Sequence, residues 1–373
     1  MSAQQNGKSA RPRIVMSYSV SSTEERPASI TPPGRKTDPG VPTSTSADMY
    51  RQRFDALVKQ KNKICLGGIE RPVIPSELKP VNNINYGSCG DVKLYMYLGM
   101  PMAVKEMKLA REEDLKKIVT DLEMMMKAFA CPYIVKAYGY LMTEDKVMLC
   151  MENMVGCLDT LLDRAKNMPF PEKIIGKIAD SVVTALHYLK KEHNVIHRDV
   201  KPSNILFDYD GNIKLCDFGI SGTLVNSKVH TVEAGCPPYM APERVESACA
   251  SFGAPTAPPP YDVRSDVWSL GVSLVELATG NYPWKELPNN TAILIAISSC
   301  DPPRLSEADG FSADFVDFVS LCLTKDVNVR PQYPALLEHP FLVKAKDTTK
   351  ETYVTKEEVA KWFADAMLTQ REP

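Results

Sequence analysis

The sequence predicts an α+β protein with a small β-rich lobe followed by a larger helical lobe. From residue 64 to about 150, short β-branched and aromatic runs alternate with turns, a pattern typical of strands. One charged, methionine-rich helical stretch, Glu112–Ala128, interrupts these runs. Two lobes of different character imply a cleft between them, where a ligand can be enclosed. The helical lobe is predicted from four stretches, at residues 171–190, 265–279, 291–299 and 313–323.

The charge of the chain limits its partners. Its 373 residues include 44 Lys and Arg against 46 Asp and Glu, a formal net charge of −2, whereas a general nucleic-acid binder carries a basic excess. We therefore expect no nucleic-acid partner. We expect no membrane partner either, because no apolar stretch is long enough to span a bilayer. No secretory signal opens the chain, so we expect the cytoplasm, with the nucleus as an alternative, and ten reduced cysteines.

Segments outside the two lobes have their own character. Residues 1–46, rich in Ser, Thr and Pro from residue 17 onward, have no hydrophobic period, and we expect them to be disordered. Residues 47–63 are predicted to form an amphipathic helix. The folded body then spans 64–343, with the first lobe ending at residue 150, and residues 344–373 form a tail. The apolar face of the predicted helix consists of Tyr50, Phe54, Leu57 and Val58.

A glycine-rich turn between two predicted strands is a candidate phosphate site. Glycines let the backbone approach a phosphate and direct N–H groups toward its oxygens. On the next strand, Ala103 lies close to Lys105, whose ammonium could pair with the same phosphates. Each feature alone has a simpler explanation, because such turns more often just close hairpins and most strand lysines are solvated. The turn contains Asn85, Gly87, Ser88, Cys89, Gly90, Asp91 and Val92.

A second group of residues carries stronger chemistry. In the run His-Arg-Asp-Val-Lys-Pro-Ser-Asn at 197–204, Asp199 is a candidate base for a hydroxyl nucleophile. Lys201 can neutralise charge on a transferring phosphoryl group. Asn204, with Asp217 thirteen residues later, offers oxygen ligands of the kind that Mg²⁺ prefers.

Each of these residues could separately be a turn or core residue, but their order and spacing match the protein-kinase signature. The match continues through Asp217-Phe218-Gly219 and Ala241-Pro242-Glu243. Arg330 lies where kinases hold the arginine that pairs with that glutamate.

A pseudokinase scaffold, a binding protein without catalysis, is the alternative from another functional class. It would lack one of the four catalytic positions, and all four are present: Lys105, Asp199, Asn204 and Asp217.

Over residues 64–370 the chain resembles the mitogen-activated protein kinase kinases, dual-specificity kinases that phosphorylate Thr and Tyr in a MAP kinase activation loop. The resemblance is strongest to the c-Jun N-terminal kinase kinase branch. It implies a bilobal protein-kinase fold, ATP and Mg²⁺ as cofactors, a stress-activated MAP kinase as substrate, an upstream MAP kinase kinase kinase as activator, and a scaffold protein as a further candidate partner. The segments that carry it are 197–206, 213–222, 234–245, 265–284, 337–342 and 359–367.

The resemblance also assigns roles near the middle of the chain. Met151 becomes the gatekeeper, and Glu152 to Met154 form the adenine-binding hinge. Cys157, just beyond the hinge, matches a cysteine of that branch. Two interpretations of it stay open at this point, a small buried thiol and a reactive, ligandable one.

The resemblance places the activating phosphosites at Ser227 and Thr231, which keep the family's S-x-x-x-T spacing inside the segment from Asp217 to Glu243. A phosphate adds about −1.5 to −2 charge at pH 7, and Arg198 is the nearest candidate cation to receive it. We therefore expect a loop that phosphorylation orders. An ordinary solvated Ser and Thr is the alternative.

Three features depart from the family pattern. Asn85 replaces the first glycine of the usual G-x-G-x-x-G, and asparagine tolerates positive φ, so the turn can persist. The helix that should offer a glutamate to Lys105 has Asp121 at the best-aligned position, with Glu123 as the alternative. An Ala- and Pro-rich insert at 250–260 is expected to be a surface loop of unknown use.

The resemblance gives both tails a docking role. Residues 11–16, a basic cluster followed by hydrophobic residues two apart, resemble the peptide that binds an acidic patch and apolar groove on a MAP kinase. A chance match is the alternative. In the C-terminal tail, Thr355 and Glu358 form a predicted capping box. The helix behind it is the family's docking site for the upstream kinase, and simple packing on the large lobe is the alternative. Its apolar face contains Val359, Trp362, Phe363 and Met367.

Overall fold

The computed structural model describes residues 46–83, 91–109, 112–127, 130–165, 168–217, 222–223, 237–250 and 262–368. All of these residues belong to one compact unit, Ser44–Pro373. A sheet-based lobe comes first along the chain, followed by a helical one, which confirms the predicted α+β fold class. Among the described helices, none combines the length and the apolar character that crossing a bilayer would require.

The first lobe is a seven-stranded antiparallel sheet with two helices, α1 and α2, which contact each other, and α2 also packs on β6. The strand order is β2-β1-β6-β7-β5-β4-β3. Its elements are α1 (Ser46–Lys59), β1 (Lys63–Leu66), β2 (Ile69–Pro72), β3 (Lys79–Asn83), β4 (Asp91–Tyr97), β5 (Met100–Lys108), α2 (Glu112–Lys127), β6 (Ala137–Met142) and β7 (Lys146–Glu152).

The α1 helix ends four residues before the predicted boundary at 63. Asn62 has φ 61°, a left-handed conformation that a helix does not continue, and Lys63 already belongs to β1. The corner is fixed by hydrogen bonds, because the Asn62 N–H donates to the Tyr140 carbonyl (3.0 Å) and the Met142 N–H donates to Asn62 Oδ1 (2.8 Å). The chain thus turns from helix to strand within three residues.

The β1–β2 hairpin extends the sheet at β6, and a glycine allows the contact. Gly139 has φ 151°, and a Cβ built there would lie 2.1 Å from the Lys63 carbonyl oxygen. No side chain fits in that space, so β1 can pair with β6 only because residue 139 is glycine.

Alternation along β5 separates the lobe into two faces. Met102 and Val104 are buried with Ile64 and Val73 beneath the β1–β2 hairpin. The intervening Ala103 and Lys105 therefore point to the opposite face, toward the second lobe.

The second lobe is built around α6, which is buried along nearly its whole length. Asp262 caps its N-terminus through the Arg264 N–H, and Gly280 ends it at φ 69°. The helix starts two residues earlier than predicted because of that cap. The elements are β8 (Gly156–Cys157), α3 (Leu158–Arg164), α4 (Glu172–His193), β9 (Val195–Ile196), β10 (Ile205–Phe207), β11 (Ile213–Leu215), β12 (Gly222–Thr223), α5 (Pro242–Ala250), α6 (Val263–Thr279), α7 (Asn290–Ser299), α8 (Ala313–Cys322), α9 (Tyr333–Leu337), α10 (Pro340–Lys346) and α11 (Lys356–Leu368).

The tail helix α11 packs on this lobe. Thr355 and Glu358 form the predicted capping box, each accepting a backbone N–H of the other (2.8 and 3.2 Å). Phe363 is fully buried and stacks on Phe207 of β10, with ring centroids 4.5 Å apart. Trp362, only partly buried, meets Phe170 edge-on at 4.6 Å. The apolar face of the tail is therefore largely used by its own lobe.

Candidate active site

A cleft of about 660 Å³ lies between the sheet and the second lobe. The predicted residues that line it are Val92, Ala103, Lys105, Asp121, Met151, Glu152, Met154, Asn204 and Asp217. The apolar remainder of the lining was not predicted, because these residues have no sequence mark that separates them from ordinary core. They are Met125, Val135, Leu149, Leu206 and Cys216.

Lys105 joins three elements in this cleft. Its Nζ lies 3.1 Å from Asp121 Oδ2 on α2 and 3.1 Å from Asp217 Oδ1 after β11. Burial opposes the ammonium charge, but the nearby carboxylates of Asp217 and Asp121 raise the pKa of Lys105 well above its usual range. The lysine is therefore a fixed positive charge at the base of the cleft.

The alternative partner, Glu123, is engaged elsewhere. Arg53 of α1 donates to both of its carboxylate oxygens, from Nε (2.9 Å) and from Nη2. The structure thus pairs Lys105 with the shorter aspartate and uses Glu123 to hold α1 against α2. The ring of Tyr50 completes this contact, with the Arg53 guanidinium 5.0 Å and the Lys116 ammonium 5.7 Å from its centroid.

Asp199, Lys201 and Asn204 form a second charged group beside the cleft. Lys201 Nζ lies 2.8 Å from Asp199 Oδ2, and Asn204 Nδ2 donates to the same oxygen at 2.9 Å. Asn204 Nδ2 also donates to the Asp199 carbonyl (2.7 Å). All three side chains are nearly buried, so their geometry is fixed by these bonds rather than by solvent.

The backbone of this loop is held by the buried Asp266 of α6. Its two carboxylate oxygens accept the N–H groups of His197 (2.9 Å) and Arg198 (2.8 Å), and the Tyr333 hydroxyl also donates to it (3.0 Å). Burial raises the pKa of Asp266, and these donors oppose that rise. The anchor keeps Arg198 at φ 72°, a conformation that non-glycine residues seldom adopt.

His197 links the two halves of the site. Its Nδ1 accepts the Asp199 N–H (3.2 Å), so Nε2 is the nitrogen that donates to the Cys216 carbonyl (3.0 Å). The next residue, Asp217, takes φ 66°. The imidazole therefore connects the backbone of Asp199 to the residue before Asp217.

The contact predicted between Glu243 and Arg330 is confirmed. Arg330, fully buried, donates from Nη1 and Nη2 to the two carboxylate oxygens of Glu243 (2.9 and 3.0 Å). A bidentate pair of this kind is both strong and geometrically specific. It fixes the start of α5 to the second lobe.

For Cys157 the structure favours the small buried thiol over the reactive one. The residue is inaccessible and caps α3, with its Sγ 3.1 Å from Thr160 Oγ1. Burial raises the pKa of the thiol, against the hydrogen bonds from Thr160.

Glu276 is a buried acidic residue of the second lobe that no sequence motif marked. It lies in the buried helix α6 and accepts a hydrogen bond from the Tyr239 hydroxyl (2.6 Å). Burial raises its pKa to about 7, and the nearby Asp159 and Asp163 add to that rise. The signal available in the sequence was a single acidic residue in the mostly apolar run 270–278.

Several predicted residues lie outside the described part of the chain. They include the glycine-rich turn from Asn85 through Gly87, Ser88 and Cys89 to Gly90. Asp91 is placed by its backbone alone, at the start of β4. Both predicted phosphosites, Ser227 and Thr231, the docking peptide at 11–16 and residues 251–260 of the insert lie outside it as well.

The donor set fits a divalent cation and a phosphate. Asp217 supplies a carboxylate, and because the Asn204 amide nitrogen donates to Asp199, its amide oxygen is the atom suited to a hard metal. Lys105, held between two carboxylates, supplies the cationic group that a phosphate requires.

Comparison with known proteins identifies the family of the chain. The protein kinase domain family matches residues 79–342. The chain is 46% identical over 316 residues to the dual specificity mitogen-activated protein kinase kinase mek-1 of Caenorhabditis elegans, covering 83% of this chain and 86% of that protein. It is 42% identical over 363 residues to the human dual specificity mitogen-activated protein kinase kinase 7, covering 94% and 83%. A third relative, jkk-1 of C. elegans, is 40% identical over 337 residues, covering 87% and 75%.

Proposed function

Because the chain belongs to the dual specificity mitogen-activated protein kinase kinases, we propose that it transfers the γ-phosphoryl group of ATP to Thr and Tyr in a MAP kinase activation loop. The proposed substrate is a stress-activated kinase of the c-Jun N-terminal kinase class. The observation that carries the proposal is the pair of charged groups around one cleft, Lys105 with Asp121 and Asp217, and Asp199 with Lys201 and Asn204.

Each residue has a role in an in-line transfer. Lys105 would hold the phosphates of ATP, and Asn204 and Asp217 would hold Mg²⁺. When bound, Mg²⁺ would neutralise charge on the phosphates, and ATP would supply the phosphoryl group. The contacts from Lys201 and Asn204 both fall on Asp199 Oδ2, so we assign Oδ1 to the acceptor hydroxyl, where it orients the oxygen and takes its proton.

The cleft lining supports an adenine site opposite these charges. Ala103 and Val92 come from the sheet, and Leu206 from the second lobe, so an apolar ring would be enclosed between them. The hinge is assigned to Glu152 through Met154, directly after the gatekeeper Met151 at the end of β7.

Regulation follows from the same proposal. Phosphorylation of Ser227 and Thr231 by an upstream MAP kinase kinase kinase would activate the enzyme, with Arg198 as a receiving cation. The tail 344–373 would dock that kinase, and residues 11–16 would dock the MAP kinase. The partly buried Trp362 leaves part of α11 exposed for such a contact. We place the protein in the cytoplasm or the nucleus. A scaffold protein is a further proposed partner.

A panel experiment tests the function. The Ser227→Glu/Thr231→Glu variant is incubated with ATP, Mg²⁺ and purified MAP kinases, and the modified residues are mapped by mass spectrometry. We expect phosphate on both Thr and Tyr of a T-x-Y loop, with the c-Jun N-terminal kinase class preferred. Asp199→Asn in the same background is the matched control and should show no transfer. Transfer by the control, or none by the parent, would contradict the proposal.

A further inference from the structure

One ion pair crosses from the first lobe to the second at the edge of the cleft. Lys214, in the middle of β11, places its Nζ 2.6 and 2.8 Å from the two carboxylate oxygens of Glu152 at the end of β7. Both side chains are less than one-fifth exposed. The carboxylate also accepts the Lys136 N–H (2.7 Å), while the Glu152 N–H donates to the Lys136 carbonyl (2.9 Å). Glu152 is therefore held through both its side chain and its backbone.

The two partners belong to chain segments that lead to different parts of the nucleotide site. Glu152 begins the assigned hinge, whereas β11 leads through Cys216 to Asp217. The β11 strand is itself fixed, because the Leu215 N–H donates to the Tyr133 carbonyl (2.8 Å) and the Leu215 carbonyl accepts the Val135 N–H (3.0 Å). Segment 133–136, β11 and the hinge thus form one hydrogen-bonded unit.

Lys214 does not line the cleft, although Glu152 does. Any effect of the lysine on a bound nucleotide is therefore indirect, through Glu152 on one side and through β11 and Asp217 on the other. Because the pair is shielded from solvent and bifurcated over both carboxylate oxygens, it restrains the hinge more than an exposed surface pair would.

We propose that Lys214 is a positioning residue for nucleotide binding, which sets the distance between the adenine-binding hinge and the metal-binding Asp217. This inference rests on the proposed kinase function. Loss of the lysine would leave the Glu152 carboxylate with only the Lys136 N–H from this unit, and the hinge would sample positions that fit the nucleotide less well.

Lys214→Met tests the proposal against a matched control. Lys146→Met also removes a lysine–glutamate pair that involves β7, but at the other end of that strand from Glu152. The lost pair joins Lys146 Nζ to Glu106 Oε1 at 2.7 Å. A fluorescent ADP analogue with Mg²⁺ is titrated into each protein, and the melting temperature is measured without nucleotide. We expect Lys214→Met to bind the analogue about three- to tenfold more weakly, and Lys146→Met to bind it as the parent does while losing thermal stability.

Rescue and coupling separate positioning from a structural role. Lys214→Arg keeps the charge and can still pair with Glu152, so it should restore affinity to within about twofold. Glu152→Gln should weaken binding as Lys214→Met does, and the double variant should be no weaker than either single one. In steady-state assays the loss should fall on the KM for ATP rather than on kcat.

Hydrogen exchange gives a readout without ligand. Amides of the hinge should exchange faster in Lys214→Met than in the parent, whereas α6 should exchange equally in both. If Lys214→Met proves unstable, Glu152→Gln provides the same comparison. Unchanged affinity in folded Lys214→Met, or equal losses in Lys214→Met and Lys146→Met, would overturn the proposal. If the parent itself bound no nucleotide, the kinase function would fail and the inference with it.

Discussion

Lys105 and Glu106 are neighbours on β5, but the strand directs them to opposite faces of the sheet, and their ion pairs differ in origin. Glu106 accepts hydrogen bonds from Lys93, Tyr95 and Lys146, which all lie on strands of the same sheet. Lys105 instead pairs with Asp121 and Asp217, which come from a helix and from the second lobe. The first network persists whenever the sheet is folded, whereas the second also requires separate parts of the chain to be in place. We therefore expect Glu106 to serve stability and Lys105 to serve function.

The largest expected effect is the loss of activity on replacing Lys105, on the face of the sheet that borders the cleft. Lys105→Met should lower kcat/KM for a MAP kinase by about 100- to 1,000-fold, because it removes a preorganised cation from the phosphate site. The melting temperature should also fall, because Asp121 and Asp217 stay buried without the cation that neutralises them, but the protein should remain folded. Activity would be assayed by phosphate incorporation, with Lys93→Met as the control on the adjacent strand. Equal activity of Lys105→Met and the parent would contradict the assignment.

Replacing Glu106, on the face of the sheet opposite Lys105, should lower stability and leave activity nearly unchanged. Glu106→Gln should lower the free energy of unfolding by about 2 kcal/mol, because three donors lose their charged acceptor, while kcat changes less than twofold. Chemical denaturation would measure the first quantity. If Glu106→Gln lost activity in proportion to its own loss of stability, the two faces of the sheet would not be independent.

The same variant has a defined pH dependence. Burial alone would raise the pKa of Glu106, but hydrogen bonds from Lys146, Lys93 and Tyr95 lower it to about 2. Its contribution to stability is therefore fully present above the ordinary glutamate pKa and is lost as the pH falls toward 2. The stability difference between parent and variant should be constant from pH 7 to 5 and shrink below pH 4.5. A constant difference down to pH 3 would contradict the assigned network.

Glu276 provides the opposite case in the second lobe, with a smaller expected effect. Its pKa is raised to about 7, so ionisation of the folded protein is disfavoured and its contribution to stability falls as the pH rises from about 4.5 through 7. Glu276→Gln removes the buried charge and keeps an acceptor for Tyr239. It should therefore raise stability by about 1–2 kcal/mol at pH 8 and by nothing at pH 4.5. Thermal melts at the two pH values would measure this, and a gain at both would point to packing instead.

The smallest effect concerns the contact between α1 and α2. Arg53→Ala should lower stability by less than about 1 kcal/mol, since both partners of the pair are partly exposed. Limited proteolysis should nonetheless cut the α1 segment faster than in the parent, because Glu123 no longer holds the helix. Arg53→Lys keeps one hydrogen bond and should give an intermediate rate. No change in cleavage rate would show that the apolar face of α1 is sufficient.

The sequence and the structure agree most closely where chemistry depends on linear spacing. Asp199, Lys201 and Asn204 lie within six positions, so a motif could identify them together. The choice between Asp121 and Glu123 could not be made that way, because it depends on which side of α2 faces β5 and on Arg53, about 70 positions away. The partners of Lys105 are thus decided by tertiary contacts.

The ends of helices and the pairing of distant strands were also difficult to predict from the sequence. The end of α4 at His193, three residues beyond the prediction, is set by Asn194 in the left-handed conformation. The addition of β1 and β2 to the sheet depends on pairing Lys63 with Tyr140, which hydrophobic periodicity does not report. Glu276 could not be recognised as a titrating group, because its pKa follows from burial and from carboxylates on another helix.

Gly139 has a consequence for how much variation the first lobe can tolerate. A single methyl group at this position would meet the Lys63 carbonyl and part β1 from β6. The corner at Asn62 and the hydrogen bond from the Tyr140 hydroxyl to the Leu57 carbonyl (2.9 Å) depend on the same approach. The placement of α1 beside α2 therefore depends in part on residue 139 having no side chain. Among natural variants that keep this helix in place, position 139 should be nearly invariant, whereas the exposed residues of β2 should vary freely.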